Sequence, residues 1–155
     1  MSATPLLSIR GLRTVFPTRH GAVRAVDGVD LDVAAGECLG VVGESGSGKS
    51  ITFQSVLGLV RPPGRIEAGA IRFDGRELIG MDPARLRALR GGEIAMTMQD
   101  ALTALNPAFT IETQIVETLR AHGRVAGGAA ALRAAAIELL ARVGIPDTEE
   151  RLGQY

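Results

Sequence analysis

Tryptophan is absent from these 155 residues, aromatic residues make up only 3%, and a single lysine stands against sixteen arginines. Without large aromatics, any core has to be assembled from Val, Ile, Leu, Ala and Met. The one cysteine, Cys38, excludes an internal disulfide. It lies in an apolar run, where a small buried hydrophobe is the expected role. The two histidines, His20 and His122, are isolated from each other and from any cluster with metal-ligand spacing, and both read as surface or loop residues. Neither charge is in excess, with seventeen acids balancing seventeen bases. The arginines are spread along the chain, so there is no electrostatic case for nucleic acid as the main ligand. No apolar stretch approaches the roughly 20 residues needed to span a bilayer. The first ten residues lack the charged region and long apolar core of a signal peptide. A soluble, intracellular globular chain with the length of one ordinary domain is therefore expected.

What is present centres on the one lysine. Lys49 lies in Gly43-Glu44-Ser45-Gly46-Ser47-Gly48-Lys49-Ser50, which satisfies G-x-x-x-x-G-K-[ST], the phosphate-binding P-loop. In a chain that otherwise carries positive charge on arginine, Lys49 stands where a compact ammonium has to fit between phosphates, a space that a planar guanidinium does not match. Upstream, Cys38-Leu39-Gly40-Val41-Val42 reads as a buried strand. The glycines allow the backbone to approach a ligand closely, and successive N–H groups can form an anion nest. Downstream, Ile51 to Val60 has helical character, so phosphates would lie at a helix N-terminus. Lys49 would reach the β- and γ-phosphates, and the Ser50 hydroxyl would ligate Mg²⁺. The chain is expected to bind a nucleoside triphosphate.

The first third reads as strand-rich and partly antiparallel. Leu7, Ile9 and Leu12 alternate with polar residues, Pro17 to Gly21 turns, and Val23 to Val33 resumes the alternation with a turn or bulge at Asp27-Gly28. Arg61-Pro62-Pro63-Gly64 is a breaker, Ala70 to Phe73 a strand, and Asp74-Gly75 a tight turn. Asp82-Pro83 opens a helix to about Arg90, which Gly91-Gly92 ends. A strand is expected from Ile94 to Met98. Helices follow from Thr110 to about His122 and from Ala129 to Val143, the second carrying Glu138 and Arg142 four residues apart, in the favourable order for an ion pair.

The loop alone does not fix a P-loop class. Guanine-specific GTPases read the base with Asn-Lys-x-Asp, which this chain cannot contain because Lys49 is its only lysine. Small-molecule kinases usually open on the P-loop, whereas about forty residues of β-rich sequence precede it here. The order of elements, with Gly69 to Gly75 and then Met98-Gln99-Asp100, resembles an ABC transporter ATP-binding subunit. Gly43 to Thr52 together with Gln99-Asp100-Ala101-Leu102-Thr103-Ala104-Leu105-Asn106-Pro107 is similar to the oligopeptide, dipeptide and nickel importer branch. The resemblance covers essentially the whole chain but only the first half of that family's subunit.

It implies an α/β fold: a P-loop NTPase (RecA-like) core with an N-terminal antiparallel β-subdomain and the start of a helical subdomain, truncated. Residues 1–100 would carry the β-subdomain and P-loop core, and 101–155 the Q-loop and the first helical elements. ATP and Mg²⁺ are the implied cofactors, held by Gly43, Glu44, Ser45, Gly46, Ser47, Gly48, Lys49, Ser50 and Ile51. Gln99 would be the Q-loop glutamine contacting Mg²⁺ and the attacking water, with Lys49 and Gln99 as catalytic residues. Phe16 would stack on adenine. The implied partners are membrane-spanning permease subunits, facing the loop through Pro107, and a second ATP-binding subunit, identical or not, on the cytoplasmic side of the inner membrane. Two departures stand out: Ala101 where the family commonly has Pro, and Phe16 for the commoner Tyr.

The family's signature segment, its acid-ended Mg²⁺-holding strand and its switch histidine are absent, since His122 is the last histidine. A partial sequence is therefore expected, whose complete form is an ATPase of uptake and whose 155 residues bind nucleotide without hydrolysing it. An ABC ATPase outside transport is the further alternative, disfavoured by the single P-loop and by Leu105-Asn106-Pro107.

Overall fold

The computed structural model describes residues 4–97, 104–123 and 125–155. They divide into two units, Met1–Ile94 and Ala95–Tyr155. In the first, β1 (Leu7–Thr18) and β2 (Gly21–Val33) form an antiparallel hairpin closed by Thr18 opposite Gly21, with Arg19 and His20 as a two-residue turn. β3 (Arg65–Phe73) pairs with the other edge of β1, and β4 (Arg76–Glu77) pairs with β3, giving the sheet order β2-β1-β3-β4. The β1–β2 ladder slips register at Gly28, whose φ of +75° suits the expected bulge. At a second irregularity, between Ile9 and Leu12, the Gly11 amide donates to Asp30 Oδ1 at 2.7 Å. Asp74 and Gly75 both take positive φ (48° and 73°), as a two-residue turn joining β3 to β4 requires.

Alternation along these strands aims Ile9, Leu12, Val26 and Ile71 at one side, where they bury with Val56, Leu78 and Leu89. Burying each such side chain contributes about 1.5–3 kcal/mol. The helices that supply Val56 and Leu89 are α1 (Lys49–Val56) and α2 (Pro83–Leu89). Asp82 caps α2 by accepting from the amides of Ala84 and Arg85, and Pro83 follows in the first turn, as expected. Gly91 (φ +72°) follows its end. On the exposed rim, the Arg76 guanidinium bonds the Glu93 carboxylate and holds it below its ordinary pKa. The pair's small, solvent-screened contribution is thus kept above the ordinary carboxylate range and lost on stronger acidification.

The 38–42 segment does not behave as the sequence suggested. It joins no ladder with any described strand, Cys38 is exposed, and Val42 is 94% accessible. Apolar character predicts burial only where other elements supply a cover, and among the described residues none buries Cys38 or Val42. Similarly, Ile94 makes one parallel bridge, to Arg90, and 95–97 stays irregular.

In the second unit, α3 (Ile111–Ala121), α4 (Ala129–Arg142) and α5 (Thr148–Leu152) enclose a small core of Ala136, Leu140 and Leu152, with Ile111, Ile115, Val116 and Ile137 around it. Ala136 is fully buried, and its small side chain permits close approach of the neighbouring helices. Thr110 caps α3 by accepting from the Thr113 amide, and the Ile111 amide reaches Gln154 O at 2.9 Å. Glu138 and Arg142 form no ion pair; Arg133 pairs instead with Glu112 across helices at 3.6 Å. α5 was not anticipated, since five residues carry too little periodicity to register.

Candidate phosphate-binding site

Residues 43–48 connect the irregular 38–42 segment to the start of α1. The Ser47 amide turns back to Glu44 O at 3.2 Å, and Gly46 (φ +84°) and Gly48 (φ +92°) take left-handed conformations. At Gly48 the requirement is the stricter, because a Cβ there would lie 2.3 Å from Ala25 O of β2. The first intrahelical amide bond of α1 is Thr52 N to Gly48 O, at 2.9 Å. The amides of Lys49, Ser50 and Ile51 therefore precede the helical ladder, and no side chain caps them. Such a terminus presents N–H groups and the positive end of the helix dipole to an anion.

Lys49 Nζ donates to Gly43 O at 2.7 Å, Glu44 O at 2.8 Å and Ser47 Oγ at 3.1 Å, which uses all three ammonium protons. The charge is thereby fixed over the loop before any anion arrives. A Cβ on Gly43 would sit 2.7 Å from Ser47 Oγ and 3.7 Å from Lys49 Nζ, filling the cradle. A site lined by main-chain amides, one ammonium and a pair of small hydroxyls fits a polyphosphate. Ser50 is exposed in the first turn of α1 and carries a hydroxyl, an oxygen donor of the kind a hard cation takes. Glu44 and Ser45 lie exposed on the loop, and Ile51 points back into the core.

The remaining predicted residues are Phe16 and Gln99. Phe16, on β1, is half-buried and packs its ring edge on Gly64, where an added Cβ would meet Phe16 Cε1 at 2.4 Å. Gln99 falls outside the described residues, as does Ala101.

Sequence reasoning missed the residues that seat α1. Thr14 of β1 (0% exposed) and Ser55 of α1 (2%) share a hydrogen bond of 2.9 Å, and Ser55 Oγ donates onward to Ile51 O at 2.7 Å. Since Ser55 gives its proton to Ile51, Thr14 supplies the proton between them. At the other end, Arg90 donates from Nε to Leu57 O (2.7 Å) and from its guanidinium to Gly58 O (3.0 Å), capping the negative end of α1. No local pattern signals either contact, because each joins residues more than thirty positions apart. Ser55→Ala should cost about 2 kcal/mol, because it leaves the buried Thr14 hydroxyl without an acceptor. Adding Thr14→Val should then recover part of that loss. Urea unfolding of the parent, both single variants and the double variant measures the coupling.

Residues 26–155 match the family model described as ABC transporter. A Brucella melitensis protein provisionally named a peptide import ATP-binding protein is 48% identical, covering 100% of this chain and 47% of that protein. The dipeptide transport ATP-binding protein of Haemophilus influenzae is 41% identical, over 97% of this chain and 45% of its own length. Thus the chain spans about half the length of the curated relatives it matches. Among solved structures, the dimeric structure of a bacterial ABC transporter cassette aligns with a TM-score of 0.77 at 18% identity, over 96% of this chain and 60% of that one. A post-hydrolysis state of the same cassette, bound to ADP and Pi, gives 0.78 at 19%. At those identities the likeness establishes the fold, which is the α/β cassette expected from the order of elements.

Proposed function

Because this chain belongs to the ABC transporter family, we propose that it is the nucleotide-binding part of an importer's ATP-binding subunit, which couples ATP binding and hydrolysis to peptide uptake. One observation carries the reading: the Lys49 ammonium is already fixed across Gly43 O, Glu44 O and Ser47 Oγ at the uncapped start of α1. That arrangement suits the β- and γ-phosphates of ATP, with Ser50 offering its hydroxyl to Mg²⁺ and Gln99 supplying the carboxamide that contacts the metal and the attacking water. Peptides are favoured over nickel as cargo because the relatives are named for peptide and dipeptide transport. The partners are membrane-spanning subunits and a second ATP-binding subunit, and the site of action is the cytoplasmic face of the membrane. No helix among the described residues is long and apolar enough to cross a membrane. Phe16 is proposed to contact adenine, through whichever ring face its packing on Gly64 leaves open.

Calorimetric titration of the 155-residue chain with Mg-ATP tests the reading. Saturable 1:1 binding is expected, together with competition by ADP and no phosphate release above background. A folded chain, verified by circular dichroism, that binds no Mg-ATP would overturn it. Turnover is proposed for the complete protein in its membrane complex.

A further inference from the structure

We propose that Gln114 is a positioning residue, holding the 104–109 segment in the form that receives the membrane-spanning partner. Its side chain, in the second turn of α3, reaches back over the loop that precedes the helix. Oε1 accepts from the Asn106 amide at 2.8 Å, while Nε2 donates to Asn106 O at 3.0 Å and to Phe109 O at 2.9 Å. One donor and two carbonyls fix the orientation of the carboxamide, since the flipped amide would face an N–H with an N–H and carbonyls with an oxygen. Asn106 adds its own turn, with Oδ1 accepting from the Ala108 amide at 3.0 Å. The loop is thus pinned at both ends of 106–109 by a single side chain.

What that pinning presents is apolar. Leu105 and Phe109 remain 51% and 50% exposed, although the backbone beside them is held. Leu105 also forms the rim of a groove of about 350 Å³ lined by Ala104, Gln114, Ile115, Thr118, Leu119 and Leu139, with no charged side chain among them. Loop tips left to themselves are usually polar and mobile. Here a half-buried carboxamide spends all three of its bonds on keeping two bare apolar side chains in place. An uncharged groove with a fixed rim suits the apolar side of a short helix from a membrane-spanning subunit. The inference rests on the importer reading above and adds to it the residue on which the shape of the contact depends.

Gln114→Leu keeps the volume and removes all three bonds. Gln114→Glu keeps the acceptor for the Asn106 amide and sets a carboxylate against two carbonyls. Both are made in the full-length subunit, alone and reconstituted with its membrane-spanning subunits in phosphatidylethanolamine–phosphatidylglycerol vesicles. In Gln114→Leu, exchange of the Asn106 amide should accelerate at least tenfold, while the amides of Val116 and Leu140 stay within twofold of the parent. Phosphate release in the vesicles should fall at least tenfold. In Gln114→Glu the loss, taken as a ratio to the parent at each pH, should shrink on acidification, because a protonated carboxyl can again donate to one carbonyl. The ratio for Gln114→Leu should not move with pH. Unchanged Asn106 exchange would overturn the clasp. Faster exchange with parental turnover in vesicles would overturn the positioning role and leave the importer reading intact. A parent subunit that its membrane partners fail to stimulate would instead overturn the importer reading itself.

Discussion

Replacing Lys49 with alanine is expected to weaken Mg-ATP binding by at least about 100-fold. Each hydrogen bond from an ionised donor contributes about 1.5–3 kcal/mol, and an ammonium between two phosphates makes at least two, so a loss of about 3 kcal/mol is a lower figure. Without phosphate, the same ammonium joins Gly43 O, Glu44 O and Ser47 Oγ. The substitution therefore also loosens the loop, and some of the lost affinity becomes the cost of ordering it on binding. Lys49→Arg should rescue little. Its guanidinium is planar, and the three acceptors surround a point, an arrangement that suits an ammonium and not a fork. Calorimetry on the parent and both variants, each checked for folding, gives the comparison. Parental affinity in Lys49→Ala would remove the basis of the phosphate assignment.

The second large effect is expected at Gly48. Alanine there places Cβ 2.3 Å from Ala25 O, in a backbone conformation (φ +92°) that side chains resist. The conformation costs on the order of 1–2 kcal/mol, and relieving the overlap costs a further 1–3 kcal/mol because the opposing atom belongs to the main chain of β2. A total near 3 kcal/mol should lower the melting temperature by roughly 10 °C. Gly46→Ala is the internal control. Gly46 also has positive φ (+84°), yet nothing lies within 4 Å of its Cβ position, so only the conformational cost applies. The difference between the two melting temperatures isolates the contact with β2. Equal shifts would show that α1 does not abut the hairpin as closely as Gly48 and Ala25 imply.

Where the chemistry is local, the sequence was a good guide. The β1–β2 hairpin, the Gly28 bulge, the Asp82-Pro83 helix start and the Thr110 start each rest on neighbouring residues whose preferences agree. So does the P-loop, whose residue spacing encodes its own backbone. β3 begins at Arg65, five residues ahead of the expected Ala70, because its first half is charged and gains its order from pairing with β1. The 38–42 segment failed in the opposite direction: its residues favour a core, but burial belongs to the neighbours and not to the residue. Thr14–Ser55 and the Arg90 cap were illegible for a related reason. Each satisfies a polar group at a place that only the folded chain brings together.

The bare 38–42 segment has a practical consequence. Leu39, Val41 and Val42 stand 42%, 40% and 94% accessible beside main-chain groups outside any ladder. A stretch of that kind templates cross-molecule strand addition, so concentrated solutions of the 155-residue polypeptide should be adhesive. The sole thiol, Cys38, lies within the stretch, which makes a dye attached there a reporter of whatever comes to cover it.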